Sequence, residues 1–60
     1  MNNLRIQLDE KFELTESQID AVFARFTEIE IEQALKWTVF RSKELFKTNL
    51  RLAKKKGLNA

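Results

Sequence analysis

Ile19, Val22, Phe23 and Phe26 recur at the i, i+3, i+4, i+7 spacing of one apolar helix face. Directly before them stands Thr-Glu-Ser-Gln, residues 15–18. In such a capping box the Thr15 hydroxyl accepts from the Gln18 amide while the Gln18 side chain returns to the Thr15 amide. A second box, Thr-Glu-Ile-Glu at 27–30, begins where the first helix should stop. Glu28, Glu30 and Glu32 near that start suit the positive end of a helix dipole.

From Glu28 to Lys56 no glycine or proline intervenes, and Gly57, the one glycine, follows three lysines. A glycine just past the last turn, with cations in that turn, is the expected helix ending. One unbroken helix here would run roughly 43 Å at ~1.5 Å per residue, while a globule of this size measures about 25–30 Å across. Either the segment breaks or it projects and pairs with another chain. The expected break is near Arg41–Ser42, with Ser42 as N-cap.

The first dozen residues carry two patterns. Leu4, Leu8 and Phe12 make a helix face, whereas Leu4, Ile6 and Leu8 alternate with polar neighbours as in a strand. The strand reading would allow a ribbon-helix-helix arrangement, which lays a strand pair in the DNA major groove. The helical reading is preferred, because many residues separate this segment from the helix after Thr15 and no glycine marks the turn between helices.

Composition removes several alternatives. The 60 residues contain no cysteine, histidine or proline, so neither a disulfide framework nor the usual zinc site is available. One small domain spanning residues 1–60 is expected, without metal or cofactor. A core this small is marginal alone, which points to oligomerisation for support. No stretch is long and apolar enough to span a bilayer, and the N-terminus lacks a signal peptide's apolar run, so a cytoplasmic, non-membrane protein is expected. Without Cys, His or a glycine-rich phosphate loop, an enzyme is not expected. Glu28, Glu30 and Glu32 point in different directions on a helix, so they read as a solvated helix start rather than a metal site.

The net charge of +2 conceals a division. Residues 1–40 hold eight acids and four bases, and residues 41–60 hold seven bases and Glu44. A basic tail on an acidic body calls for an anionic partner or for self-association. On a final helix, Lys43, Lys47, Arg51 and Lys54 share one face, with Leu45, Phe46, Leu52 and Ala53 on another. Like charges four apart repel by a few tenths of a kcal/mol per pair, and a phosphate backbone would explain the row. Solvated lysines at a helix end are the alternative. Trp37 and Phe40 are expected to be buried, in a core around a broken helix or in a subunit interface; the other reading stacks them on bases. Phe23, Phe26, Leu35 and Phe46 are expected to be buried together.

The runs FELTESQIDAVFARF, EIEQALKWTV and ELFKTNLRLAKKKGL resemble the C-terminal helical module of the DnaD family of replication initiation proteins. Phe46 matches that pattern's aromatic, Leu50 the aliphatic four residues on, and Lys56-Gly57-Leu58 most of its ending; the pattern's tryptophan falls at Ala53 or Lys54. The resemblance implies DNA binding, and contact with replication machinery, by the last helix and tail.

The expectation is therefore an all-α bundle of three to four helices, forming a homo-oligomer. It would act as a non-enzymatic DNA-binding or replication accessory protein, with Arg41, Lys43, Lys47, Arg51, Lys54, Lys55 and Lys56 on phosphate. The alternative is a small protein-binding module, an inhibitor or adaptor, docking through Trp37 and Phe40.

Overall fold

Thr15 and Thr27 both close the capping boxes that their sequences call for. In the computed structural model, which describes residues 3–58, the Gln18 and Glu30 amides donate to the Thr15 and Thr27 hydroxyls, each at 3.2 Å. The two threonine amides donate in return to Gln18 Oε1 at 2.9 Å and Glu30 Oε1 at 2.8 Å. These caps start α2 (Glu16–Arg25) and α3 (Glu28–Trp37), which follow α1 (Asn3–Phe12) and precede α4 (Lys43–Lys56). Every regular element among the described residues is a helix, so residues 4–8 take the helical alternative. The ends of the expected 1–60 domain, residues 1–2 and 59–60, lie outside the described residues.

The long C-terminal segment breaks and Ser42 is its expected N-cap, but α3 already stops at Trp37, ahead of the expected Arg41–Ser42. Thr38 leaves the helix at φ −90°, ψ 91°, and Ser42 Oγ accepts from the Leu45 amide at 3.2 Å to start α4. Thr38, Val39 and Phe40 are β-branched or aromatic, with lower helix propensity than their flanks. The Thr38 hydroxyl also donates to the Ala34 carbonyl at 2.7 Å, a bond that competes with helix continuation. The break keeps the molecule within 27 × 24 × 16 Å. Gly57 ends α4 in the left-handed region at φ 66°. Glu13 does the same after α1 at φ 55°, without a glycine's freedom.

The core draws on every helix: Leu4, Leu8 and Phe12, then Leu14 and Ile19, then Ile31 and Ala34, then Phe46 and Leu50. Phe12 and Phe46 stack at 4.7 Å between ring centroids. α3 and α4 make the most extensive helix contact. Two expectations about burial need correction. Of the four residues expected at the centre, Phe46 is buried, while Phe23, Phe26 and Leu35 are only partly buried and pack on its edge. Phe23 and Phe26 lie beneath cations instead, Arg5 at 5.6 Å and Lys54 at 5.3 Å from their ring centres. On α4 the buried stripe is Phe46, Leu50 and Ala53, and Leu45 and Leu52 remain exposed. The stripe runs at i, i+4, i+7, which leaves both leucines on one flank of it.

Candidate nucleic-acid interface

Helix α4 has an N-cap at Ser42, a glycine stop at Gly57 and a buried stripe that fixes its rotation. With Phe46, Leu50 and Ala53 turned inward, Lys43, Lys47 and Arg51 fall on the flank facing α2, and all three are exposed. Their four-residue spacing puts successive α-carbons about 6 Å apart along the axis. Leu45 and Leu52 occupy the opposite flank, so the basic row and the exposed leucines do not mix.

α2 and α4 leave a groove of about 320 Å³ between them. Val22, Phe26, Phe46 and Leu50 contribute its apolar floor, and Lys43, Lys47 and Arg51 its α4 rim. Arg25 stands on the α2 rim with Gln18 and Ala21, and no acid is among the lining residues described. The sequence reading missed Arg25. It belongs to the acidic half of the chain, and only tertiary packing brings it opposite the α4 row.

The cations divide by what they touch. Arg5 bonds Asp20 Oδ1 at 2.8 Å and Glu16 Oε1 at 3.1 Å, tying α1 to α2. The bonds to Asp20 and then Glu16 hold its guanidinium above the ordinary arginine pKa. Lys11 donates from α1 to the Thr38 carbonyl at the end of α3. Lys54 Nζ donates to the Arg25 carbonyl, 3.1 Å away, in the last turn of α2. Each meets a backbone or side-chain acceptor within the chain; exposed Lys54 shares the flank of Lys43, Lys47 and Arg51, and its bond crosses to α2 beside the groove. Among the described residues, the side chains of Lys43, Lys47, Arg51 and Arg25 form no ion pair or hydrogen bond, and neither do those of Arg41, Lys55 and Lys56. Arg41 is exposed in the α3–α4 loop, and Lys55 and Lys56 are exposed in the last turn of α4.

The aromatic pair separates. Trp37 is half-buried at the end of α3. Phe40 is 70% exposed and its neighbour Val39 77%, which corrects the expectation that Phe40 is buried within the chain. The break puts Phe40 in the connecting loop, where no helix face turns it inward. Among the acids of α3, Glu30 is buried against its own N-cap while Glu28 and Glu32 are exposed. No three acids among the described residues gather as a metal site. No described helix is long and apolar enough to cross a membrane.

Comparison with protein-family models, with curated proteins and with solved structures finds no match to this chain.

Proposed function

We propose that this chain is a non-enzymatic DNA-binding protein that holds the phosphate backbone along the α2–α4 groove. The observation that carries the reading is a set of four exposed-rim cations, Lys43, Lys47, Arg51 and Arg25, facing one groove with no acid lining it and no internal ion pair. Only Glu44, which forms no ion pair with them, stands among the intervening positions of α4 to relieve their mutual repulsion. A polyanion does so from outside, and releases its own counterions in the process. Arg41, Lys55 and Lys56 extend the same charge to both ends of α4. The resemblance to the DnaD helical module leads to the same reading and extends it to an accessory of DNA replication. A homo-oligomer would set several such rows side by side on one duplex.

The test is fluorescence anisotropy with a labelled duplex across a salt series. Four phosphate contacts give a log–log slope of about −3.6, at about −0.9 each. Binding that is absent at low salt, or indifferent to salt, would remove the proposal.

A second reading has its own observation. Val39 and Phe40 are the two most exposed large apolar residues described, and they are adjacent. They favour a protein-docking module, inhibitor or adaptor, in which loss of Val39 and Phe40 abolishes binding and loss of Lys47 and Arg51 does not.

A further inference from the structure

Of the six aromatic residues, Phe12 and Phe46 are buried in the core and Phe23, Phe26 and Trp37 are partly covered; Phe40 alone among those described is exposed. Its position is set by two features of the fold. Thr38 ends α3 with its side chain bonded inward, and Ser42 starts α4, so residues 39–41 form the tip between two fixed points. The tip is electropositive: residues 36–43 hold Lys36, Arg41 and Lys43, all exposed, and no acid. Phe40 lies three positions before Lys43, so their α-carbons lie within about 11 Å. Lys43 in turn begins the row that runs about 12 Å to Arg51.

An exposed ring at the head of a cationic track has a specific use in nucleic-acid recognition. Every base has a π face, and an aromatic side chain stacks on it whatever the sequence, while cations follow the phosphates. A duplex keeps those faces stacked internally; an unpaired strand presents them. A protein contact is the other use of an exposed Phe-Val pair, but the cations Lys36, Arg41 and Lys43, joined by Lys11, outnumber Glu10 and Glu44 around the tip and favour a polyanion over an average protein surface.

We infer that Phe40 is a base-stacking residue and that the α4 row holds single-stranded nucleic acid, with one unpaired base on Phe40 and the following phosphates along Lys43, Lys47 and Arg51. The inference rests on the nucleic-acid reading above and deepens it. Phe40 to Arg51 spans at most about 23 Å, within the range of about 4–16 nucleotides that one small module covers.

Three probes of equal length separate the terms: twelve-nucleotide oligo-dT, the same strand with abasic sites throughout, and a twelve-base-pair duplex. Anisotropy is read for the wild type, Phe40→Ala, Phe40→Trp, and Lys47→Ala/Arg51→Ala. Phe40→Ala should weaken oligo-dT about 5- to 160-fold, the usual loss of one stacked base, and leave the abasic strand and the duplex unchanged. Phe40→Trp should hold or improve oligo-dT binding. The thermal midpoint of Phe40→Ala should match the wild type, since the side chain is 70% exposed. If Phe40→Ala leaves oligo-dT binding unchanged, or weakens all three probes alike, the stacking inference is overturned while the backbone reading survives. If sedimentation shows that Phe40→Ala instead breaks an oligomer with oligo-dT affinity intact, the ring is a subunit contact. If the wild type binds none of the probes at low salt, both readings fall together.

Discussion

The Asn49 side-chain amide donates to the Thr38 hydroxyl at 2.8 Å, joining α4 to the residue that ends α3. Thr38 is 1% exposed, and three elements meet on it. Its hydroxyl donates to the Ala34 carbonyl, its amide reaches Ala34 and Leu35, and its own carbonyl accepts from Lys11 of α1. A buried polar group is tolerated when its bonds are made, and each loss leaves a partner unsatisfied.

Thr38→Val keeps the shape and deletes both hydroxyl bonds. The expected loss is about 1–3 kcal/mol, a fall in melting temperature of roughly 4–8 °C per kcal/mol for a domain of this size. Asn49→Leu together with Thr38→Val should cost less than the sum of the two single changes, because they share one bond. A strictly additive cycle would show that the Asn49–Thr38 bond carries no coupling.

Phe46→Ala removes the ring that stacks on Phe12 and is 2% exposed. The loss of about 3–5 kcal/mol compares with about 3–9 kcal/mol for the whole stability of such a domain, so this variant should be largely unfolded by circular dichroism. Phe23→Ala should stay folded with a lower midpoint, since Phe23 is only partly buried. An unfolded Phe23→Ala would mean that the Arg5–Phe23 contact supports far more than its geometry indicates.

Glu13 holds a positive φ of 55° as α1 ends, with its amide bonded to the Asp9 carbonyl at 2.9 Å. That conformation costs a side-chain-bearing residue about 1–2 kcal/mol, part of which glycine gives back through its greater freedom when unfolded. Glu13→Gly should therefore raise stability by about 0.5–1 kcal/mol in urea denaturation. A lower midpoint would mean that the Glu13 side chain contributes more than its backbone loses.

Lys54 and the Lys47–Arg51 pair should fail in different assays. Lys54 caps the Arg25 carbonyl and lies over Phe26, so Lys54→Ala should lower stability by about 0.5–1 kcal/mol. Lys47→Ala/Arg51→Ala should leave the melting temperature near wild type, flatten the salt slope for DNA by about two units, and weaken binding on every sequence alike. Equal thermal losses in both variants would place Lys47 and Arg51 in the fold rather than on a ligand.

Helix starts and stops were legible because their determinants are local. Thr15, Thr27, Ser42 and Gly57 act on residues within a few positions of themselves, and each ends or begins a helix as its neighbours dictate. Burial was less legible. Periodicity marked Leu45 and Leu52 as apolar, but which stripe faces inward depends on where the break at Thr38 resets the rotation of α4 relative to α3. The same break left Phe40 in the connecting loop, on no helix face. Arg25 joined the α4 cations through packing of α2 across the groove, a relation between residues about two dozen positions apart that no spacing rule encodes.

The Phe12–Phe46 stack also sets a timetable for the chain's birth. At roughly 5–20 residues per second of synthesis, about 2–7 s pass between the making of Phe12 and of its partner. Throughout that interval Leu4, Leu8 and Phe12 have no α4 to cover them. α1 can coil early, but its packing must wait for Phe46 and Leu50 of α4. A nascent chain stalled before Phe46 would carry a sticky stripe on α1 that chaperones or a second nascent copy could seize.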